Sequence, residues 1–174
     1  DVVLEVFEDF GCGFCQSYVQ NLFPSIRSQY LDDGLIRYEH RDFITTDPPD
    51  AVGPSQQAAN AAREVLDRHG DAAFWEFAEA LYDNQGRLSA EAPGLFGELA
   101  GNLGFDAGPV EDAAVDLAHD SAVQADIDRA NDLNLGGTPS FVLDGSQVDT
   151  GGARDLGDVV ALVAEEIDQA LSEQ

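Results

Sequence analysis

The stretch Val2-Val3-Leu4-Glu5-Val6-Phe7-Glu8-Asp9-Phe10-Gly11-Cys12-Gly13-Phe14-Cys15 decides the fold. Val2–Phe7 is a nearly continuous apolar run, the pattern of a strand buried in a sheet beside a parallel partner. Asp9-Phe10-Gly11 is a turn. From Cys15 to Tyr30 the residues Tyr18, Val19, Leu22, Phe23, Ile26 and Tyr30 recur at three- and four-residue steps, which is a helix with one buried face. Pro24 predicts a kink near residues 20–24. Asp33-Gly34 ends the helix, and Leu35–Arg41 is a second strand. Strand, helix and strand within this distance imply a right-handed crossover and a parallel pair.

Working outward, Thr45–Pro54 reads as loop and Ser55–Leu133 as helical throughout. Asp71 is a candidate cap for a helix carrying Phe74, Phe77, Ala78 and Leu81. Gly70 and Gly104 are helix stops, Pro109 suits a first turn, and Ser121 is a candidate cap for a helix through Val123, Ile127, Ala130 and Leu133. Ser140–Leu143 and Gln147–Thr150 flank Asp144-Gly145, a hairpin signal. A last amphipathic helix covers about Leu156–Leu171. The fold class is α/β, in the order βαβ, a helical block, then ββα. We expect one domain over residues 1–174, with the block at about 55–133 inserted between sheet parts at about 1–54 and 134–174.

Cys12 and Cys15 are the only cysteines, three apart where a strand turns into a helix. Helix N-terminal amides lack intrahelical partners and the macrodipole is positive there, so a thiolate on Cys12 is stabilised. Cys15, one turn on, can resolve a mixed disulfide at Cys12. Cys12 is therefore expected to be the exposed nucleophile and Cys15 the buried resolver. A structural disulfide across so small a loop would restrict the unfolded chain little. A metal site would need ligands from His40, His69 and His119, which lack finger-like spacing, and two unrelated core cysteines are the remaining alternative. We assign no metal. Thr138-Pro139, just before the hairpin, is the second feature. Beside a cysteine pair in this element order, a cis Thr138–Pro139 bond is expected, presenting the Thr138 backbone to an extended substrate segment. Phe14, between the cysteines, is expected to be exposed; Phe74, Trp75 and Phe77 read as core, and His40 as structural.

The composition narrows the partners. The 174 residues carry 34 acidic side chains against eight basic ones, all Arg, for a formal charge of −26. Such a surface repels nucleic acid and anionic membranes. It suits a very salty medium, where the Debye length shrinks to ~3 Å at 1 M, and points to a halophilic, archaeal source. No apolar run is long enough for a membrane span. The chain has no Met, so we expect an upstream segment, a signal or a membrane anchor, to precede Asp1 in the translated protein.

Taken in order, Cys12-Gly13-Phe14-Cys15, Phe23-Pro24, Tyr30-Leu31-Asp32-Asp33-Gly34, Arg41-Asp42-Phe43, Phe74-Trp75-Glu76, Ala80-Leu81, Asn84-Gln85 and Gly137-Thr138-Pro139 resemble the DsbA-like branch of the thioredoxin superfamily over nearly the whole chain. The resemblance implies a thioredoxin fold with a helical insertion, a cis Pro139, and disulfide exchange with protein substrates outside the cytoplasm. The protein would be secreted or anchored, monomeric and cofactor-free, with a redox partner to reset the pair. Cys12 and Cys15 would be catalytic, and Gly13, Phe14, Thr138 and Pro139 would contact substrate. Oxidation is the expected direction; reduction or isomerisation, and a binding module with a structural disulfide, are the alternatives. Gly13-Phe14 replaces the more usual proline-led dipeptide, and Val6 stands where the family often has a buried acid. Glu5 should face away; Glu8 or Asp9 could substitute as a proton carrier, but both read as solvated turn acids and stay outside the site, so Cys12 is expected to be less acidic than in the strongest oxidants.

Overall fold

A computed structural model describes residues 1–173. Strand β1 spans Val2–Glu8 and pairs in parallel with β2, Ile36–Asp42, in the register Val2 opposite Ile36 through Glu8 opposite Asp42. Between them run helix α1, Gly13–Asn21, the short α2, Phe23–Ile26, and a π-helical turn over Arg27–Leu31. The helix breaks at Leu22 and restarts with Pro24 in its first turn, where a missing amide costs nothing. β3, Ser140–Leu143, pairs antiparallel with β1 on its other side and with β4, Ser146–Gln147, giving the order β2-β1-β3-β4. β1 is thus central, as its apolar run demands.

Helices α3 (Pro54–His69), α4 (Asp71–Asp83), α5 (Gly94–Asn102), α6 (Ala107–Asp116) and α7 (Asp120–Asp132) form the insertion between β2 and β3. α8, Leu156–Ser172, closes the chain; the Asp155 side chain caps it by accepting from the Asp158 amide. The core falls into parts. One packs β1, β3, α1 and α8 through Leu4, Val6, Tyr18, Phe141 and Val163. Another lies within the insertion around Phe77, Leu81, Phe96 and Val110, and Phe10, Cys12 and Cys15 belong to it. The cysteines therefore sit at the seam between sheet and insertion.

Three local expectations are corrected. Asp71 does not cap α4: Gly70, at φ +81°, ends α3 and begins α4 in a single joint that only a glycine adopts easily, leaving Asp71 inside the first turn. Ser121 does not cap α7. The helix starts at Asp120 because the Asn60 side chain on α3 accepts from the His119 amide at 2.7 Å, so a tertiary contact takes the cap. The second hairpin strand stops at Gln147 rather than running to Thr150, and the chain turns where the Asp149 carboxylate accepts from the Gly151 amide at 2.9 Å. Asp144 and Gly145 both have positive φ, as a two-residue hairpin turn requires.

Candidate active site

Cys12 is the N-cap of α1 in extended backbone, so its sulfur faces the free amides of the first turn. The turn before it is tightly held. The Cys12 amide donates to the Asp9 carbonyl at 2.9 Å, and the Gln85 side chain, reaching from the insertion, donates to the carbonyls of Phe10 and Cys12 at 2.7 and 3.0 Å. Gly11 is required by close approach: a Cβ there would lie 2.4 Å from the hydroxyls of both Ser55 and Thr46.

Both cysteines are free thiols in markedly different surroundings. Cys12 is 8% exposed and Cys15 is completely buried. The neighbouring Cys15 thiol is the largest influence that favours a thiolate at Cys12. Burial opposes ionisation of Cys12, but the Thr138 side chain and the amides of Cys15 and Phe14 join Cys15 in bringing its pKa down to about 5. Cys15 is pushed far above the ordinary thiol range by burial, by its bond to Cys12 and by the charge of Glu8. One thiol is thus a thiolate at neutral pH and the other a retained thiol. Across the site the Thr138–Pro139 bond is cis, and the Thr138 carbonyl lies 3.4 Å from Cys12 Sγ, placed to accept from it when Cys12 is protonated. Pro139 leads directly into β3, which pairs with β1, so the sheet fixes one segment against the other. Phe14 is 70% exposed, and the space around the Cβ position of Gly13 is open.

Glu8 and Asp9 are not solvated turn acids: each is 2% exposed. Asp9 accepts from the Gly11 amide at 2.8 Å and from the amides and hydroxyls of Thr45 and Thr46 at 2.7 to 3.1 Å. Glu8 Oε2 meets His40 Nδ1 at 3.0 Å, and His40 Nε2 meets Asp42 Oδ1 at 3.1 Å. Among the described residues Glu8 Oε1 and the Tyr82 hydroxyl have no partner, and both residues line one cavity of about 10 Å³ with Tyr38, His40 and Trp75. His40 stacks on Phe10, and although its burial disfavours charge, Asp42 and Glu8 raise its pKa to about 9. Asp42 in turn accepts from Arg63 Nε at 2.6 Å, and Arg63 bridges to Asp126 on α7. Glu5 lies on the opposite face of β1, as alternation requires, and pairs with Arg41 and Arg129 at 3.0 and 2.5 Å. Phe74 and Phe77 are core, whereas Trp75 is half-buried against Phe23 and Tyr38.

Sequence reasoning weighed Glu8 and Asp9 and left them outside the site, and it missed Thr45 and a role for Gln85. A run of adjacent acids carries no signal in a chain this acidic, and His40, Thr45 and Thr46, which hold Glu8 and Asp9, lie more than thirty residues away. Among the described residues no group of three or more His, Cys, Asp or Glu is assembled for a metal, and no helix is long and apolar enough to cross a membrane.

Disulfide bond formation protein D of Bacillus subtilis is 30% identical to the chain over 101 residues, 57% of this chain and 43% of that protein. The probable disulfide bond formation protein D of Bacillus anthracis is 26% identical over 146 residues, 80% of this chain and 64% of that one. The chain thus spans about half to two thirds of these relatives' lengths. The crystal structure of oxidised BdbD from Bacillus subtilis superposes with a TM-score of 0.81 at 24% identity, covering 98% of this chain and 88% of that one. A family model described as thioredoxin matches residues 1–161, so the chain belongs to the thioredoxin family, in a fold it shares with BdbD.

Proposed function

We propose that the protein is a thiol–disulfide oxidoreductase that introduces disulfides into cysteine-containing proteins through Cys12 and Cys15. The observation that carries this reading is the asymmetry of the pair: Cys12 caps α1 beside the cis Thr138–Pro139 segment with its pKa lowered to about 5, and Cys15 is completely buried and stays protonated. Named relatives that are disulfide bond formation proteins support it.

In the oxidised protein a substrate thiolate attacks Cys12 Sγ. The Cys12–Cys15 bond breaks, and Cys15 leaves and takes a proton. A second substrate thiolate then attacks the substrate sulfur of the mixed disulfide, releasing Cys12 as its stabilised thiolate. Two substrate thiols become one disulfide, and the two electrons remain on the reduced pair. The chemistry is carried by sulfur alone and calls for no cofactor. Glu8, with Oε1 buried without a partner and its charge felt by Cys15, is the proton carrier we assign: its carboxyl gives Cys15 the proton as it leaves, and its carboxylate takes the proton back when Cys15 attacks a mixed disulfide. Phe14 and Gly13 on one side and Thr138 and Pro139 on the other form the substrate contact. The exposed ring of Phe14 offers an apolar contact for unfolded chains, and the Thr138 backbone offers a β-type one.

A Cys12 pKa between those of thioredoxin, ~7, and the strongest oxidants, ~3.5, supports oxidation of intermediate strength. A second protein must then reoxidise the pair. The same reading places the protein outside the cytoplasm, where disulfides persist, secreted or anchored, as a monomer with residues 55–133 inserted in one thioredoxin domain. The acidic surface supports a halophilic archaeal source and no nucleic-acid partner. The test is the reduction potential of the pair together with alkylation of the reduced protein near neutral pH. A fast-reacting Cys12 and a potential near or above ~−180 mV are expected. A potential well below ~−270 mV with no fast thiol overturns catalysis.

A further inference from the structure

Gln85 reaches the turn before Cys12 from the helical insertion. It opens a single 3₁₀ turn, Gln85–Arg87, just after α4. That turn is itself anchored: the Asn84 side chain donates to the Ala80 carbonyl at 2.9 Å, and Arg87 meets both oxygens of Glu98 on α5 at 2.9 and 2.8 Å. A second amide ties the same elements in the opposite direction, with Gln16 on α1 donating to the Tyr82 carbonyl at 2.7 Å. Gln85 Nε2 lies 2.7 Å from the Phe10 carbonyl oxygen and 3.0 Å from that of Cys12. An amide nitrogen carries two protons, so each carbonyl takes one.

The two carbonyls flank Gly11 and belong to two different peptide planes. The Phe10 carbonyl shares its plane with the Gly11 amide, which donates to Asp9 at 2.8 Å, so that plane is held at both edges. The Cys12 carbonyl lies in the Cys12–Gly13 plane and accepts the first bond of α1, from the Gln16 amide at 3.1 Å. Gly11, between them, has the freest backbone of the turn. A fork across it holds both planes at once, and with them the ψ of Cys12 at 121°. That angle sets how the first turn of α1 lies beneath the Cys12 side chain. The Phe14 and Cys15 amides, at the second and third helical positions, are the ones an N-cap side chain meets, and such bonds weaken steeply when bent. Without the fork only the Gln16 amide holds the Cys12 carbonyl, and the plane can tilt.

We propose that Gln85 is a positioning residue for the nucleophile: hung from the helical insertion, its amide clamps the Phe10 and Cys12 carbonyls and so fixes how the first-turn amides of α1 meet the Cys12 sulfur. This rests on the oxidoreductase reading for its chemical meaning, but the clamp itself is read on Cys12 alone. The titratable groups around the pair are Cys15 on α1, Glu8 and Asp9 at the end of β1, and Tyr82 on α4. Gln85 is neutral, so replacing it by another neutral side chain changes none of their charges.

The test is a thiolate titration of Cys12, by ultraviolet absorbance and by alkylation rate against pH, in Gln85→Met, Gln85→Asn and Gln85→Glu, with the urea midpoint of each measured beside it. Gln85→Met keeps the length and removes both donors. It is expected to raise the Cys12 pKa by about one unit and to make the pair ~10-fold less oxidising against glutathione. Gln85→Asn keeps the amide but draws it back by one methylene. It is expected to shift the same way, which keeps the test decisive if methionine is not accommodated. Gln85→Glu sets a carboxylate against two carbonyl oxygens and is expected to give the largest rise. A lowered urea midpoint with Cys12 titrating as in the parent, the result if Gln85 merely braces the turn, overturns the proposal. A fall in the Cys12 pKa in Gln85→Met overturns it too. Variants that titrate as expected, in a protein whose parent exchanges no disulfide with glutathione or a reduced substrate, would leave the clamp standing and sink the oxidoreductase reading instead.

Discussion

Glu8 and Asp9 are chain neighbours, equally buried, and opposite in use. Asp9 gathers five donors from Gly11, Thr45 and Thr46 and spends its whole acceptor capacity on tying the turn before Cys12 to the 45–46 loop. Glu8 spends one oxygen on His40 and keeps the other free, beside a small cavity that it lines with Tyr38, Trp75 and Tyr82. A saturated carboxylate is a clasp, because any change in it orphans several donors at once. A carboxylate with a free oxygen is a reagent. The β1 exit thus supplies, from adjacent residues, a rigid rim before Cys12 and a buried carboxylate with a free oxygen whose charge reaches Cys15.

The largest expected effect is at the clasp. Asp9→Ala leaves two amides and two hydroxyls of the 45–46 loop and the Gly11 amide without their acceptor. We expect a loss of about 3 kcal/mol or more, read from the denaturation midpoint at unchanged slope. If Asp9→Ala costs no more than an ordinary surface substitution, under ~0.5 kcal/mol, the clasp is wrong. Glu8→Gln should cost less stability than Asp9→Ala, since the amide oxygen can still accept from His40 and only the charge facing the imidazolium is lost. Release of a mixed disulfide by Cys15 at neutral pH should slow on the order of 100-fold, because an amide takes no proton. An unchanged resolution rate would remove Glu8 from the chemistry.

His40 sharpens the contrast through pH. Its pKa is raised in the folded protein from 6.5 to about 9, so its contribution is full below about pH 6.5 and is lost as pH rises through about 9. Cys12, depressed to about 5, acts oppositely over the same range: its contribution grows as pH rises from about 5 toward the unfolded thiol value. The two slopes offset in the reduced protein. They separate in the oxidised form, where neither sulfur titrates. There we expect stability to fall by about 2 kcal/mol between pH 6.5 and 9, and the fall to vanish in His40→Gln. A flat profile in the oxidised parent would mean that Glu8 and Asp42 do not hold an imidazolium between them.

The same contrast explains what could be read from the chain alone. The cysteine pair, Thr138-Pro139 and the strand–helix–strand order are local patterns, set by spacing and periodicity within a few turns. The central strand announced itself because Val2–Phe7 is apolar on both faces. Glu8 and Asp9 were opaque for a physical reason. Whether a carboxylate is solvated or saturated depends on donors that folding brings from Thr45, Thr46 and His40, and no period in the sequence encodes them. Asp71 and Ser121 failed similarly. Both are good caps intrinsically, but Gly70 and the Asn60 side chain supplied the helix starts from outside.

The smallest expected effect tests whether the rim can be altered while the clasp stays intact. Gly13 is the first residue of α1, the position where proline is best tolerated, because its amide has no intrahelical partner. The preceding residue, Cys12, already sits at φ −81° and ψ 121°, inside the extended region that a following proline demands. Nothing lies within 4 Å of a Cβ built at Gly13, so the ring has room. The amides that stabilise the Cys12 thiolate belong to Phe14 and Cys15 and are untouched. Gly13→Pro should therefore act through the unfolded chain, stabilising by about 0.4–1 kcal/mol and raising the melting temperature by roughly 1–4 °C. The Cys12 pKa should stay near its parent value. If the substitution destabilises the protein or moves that pKa, then the Gly13 amide takes part in holding the thiolate, and the rim has a fourth donor beyond Cys15, Phe14 and Thr138.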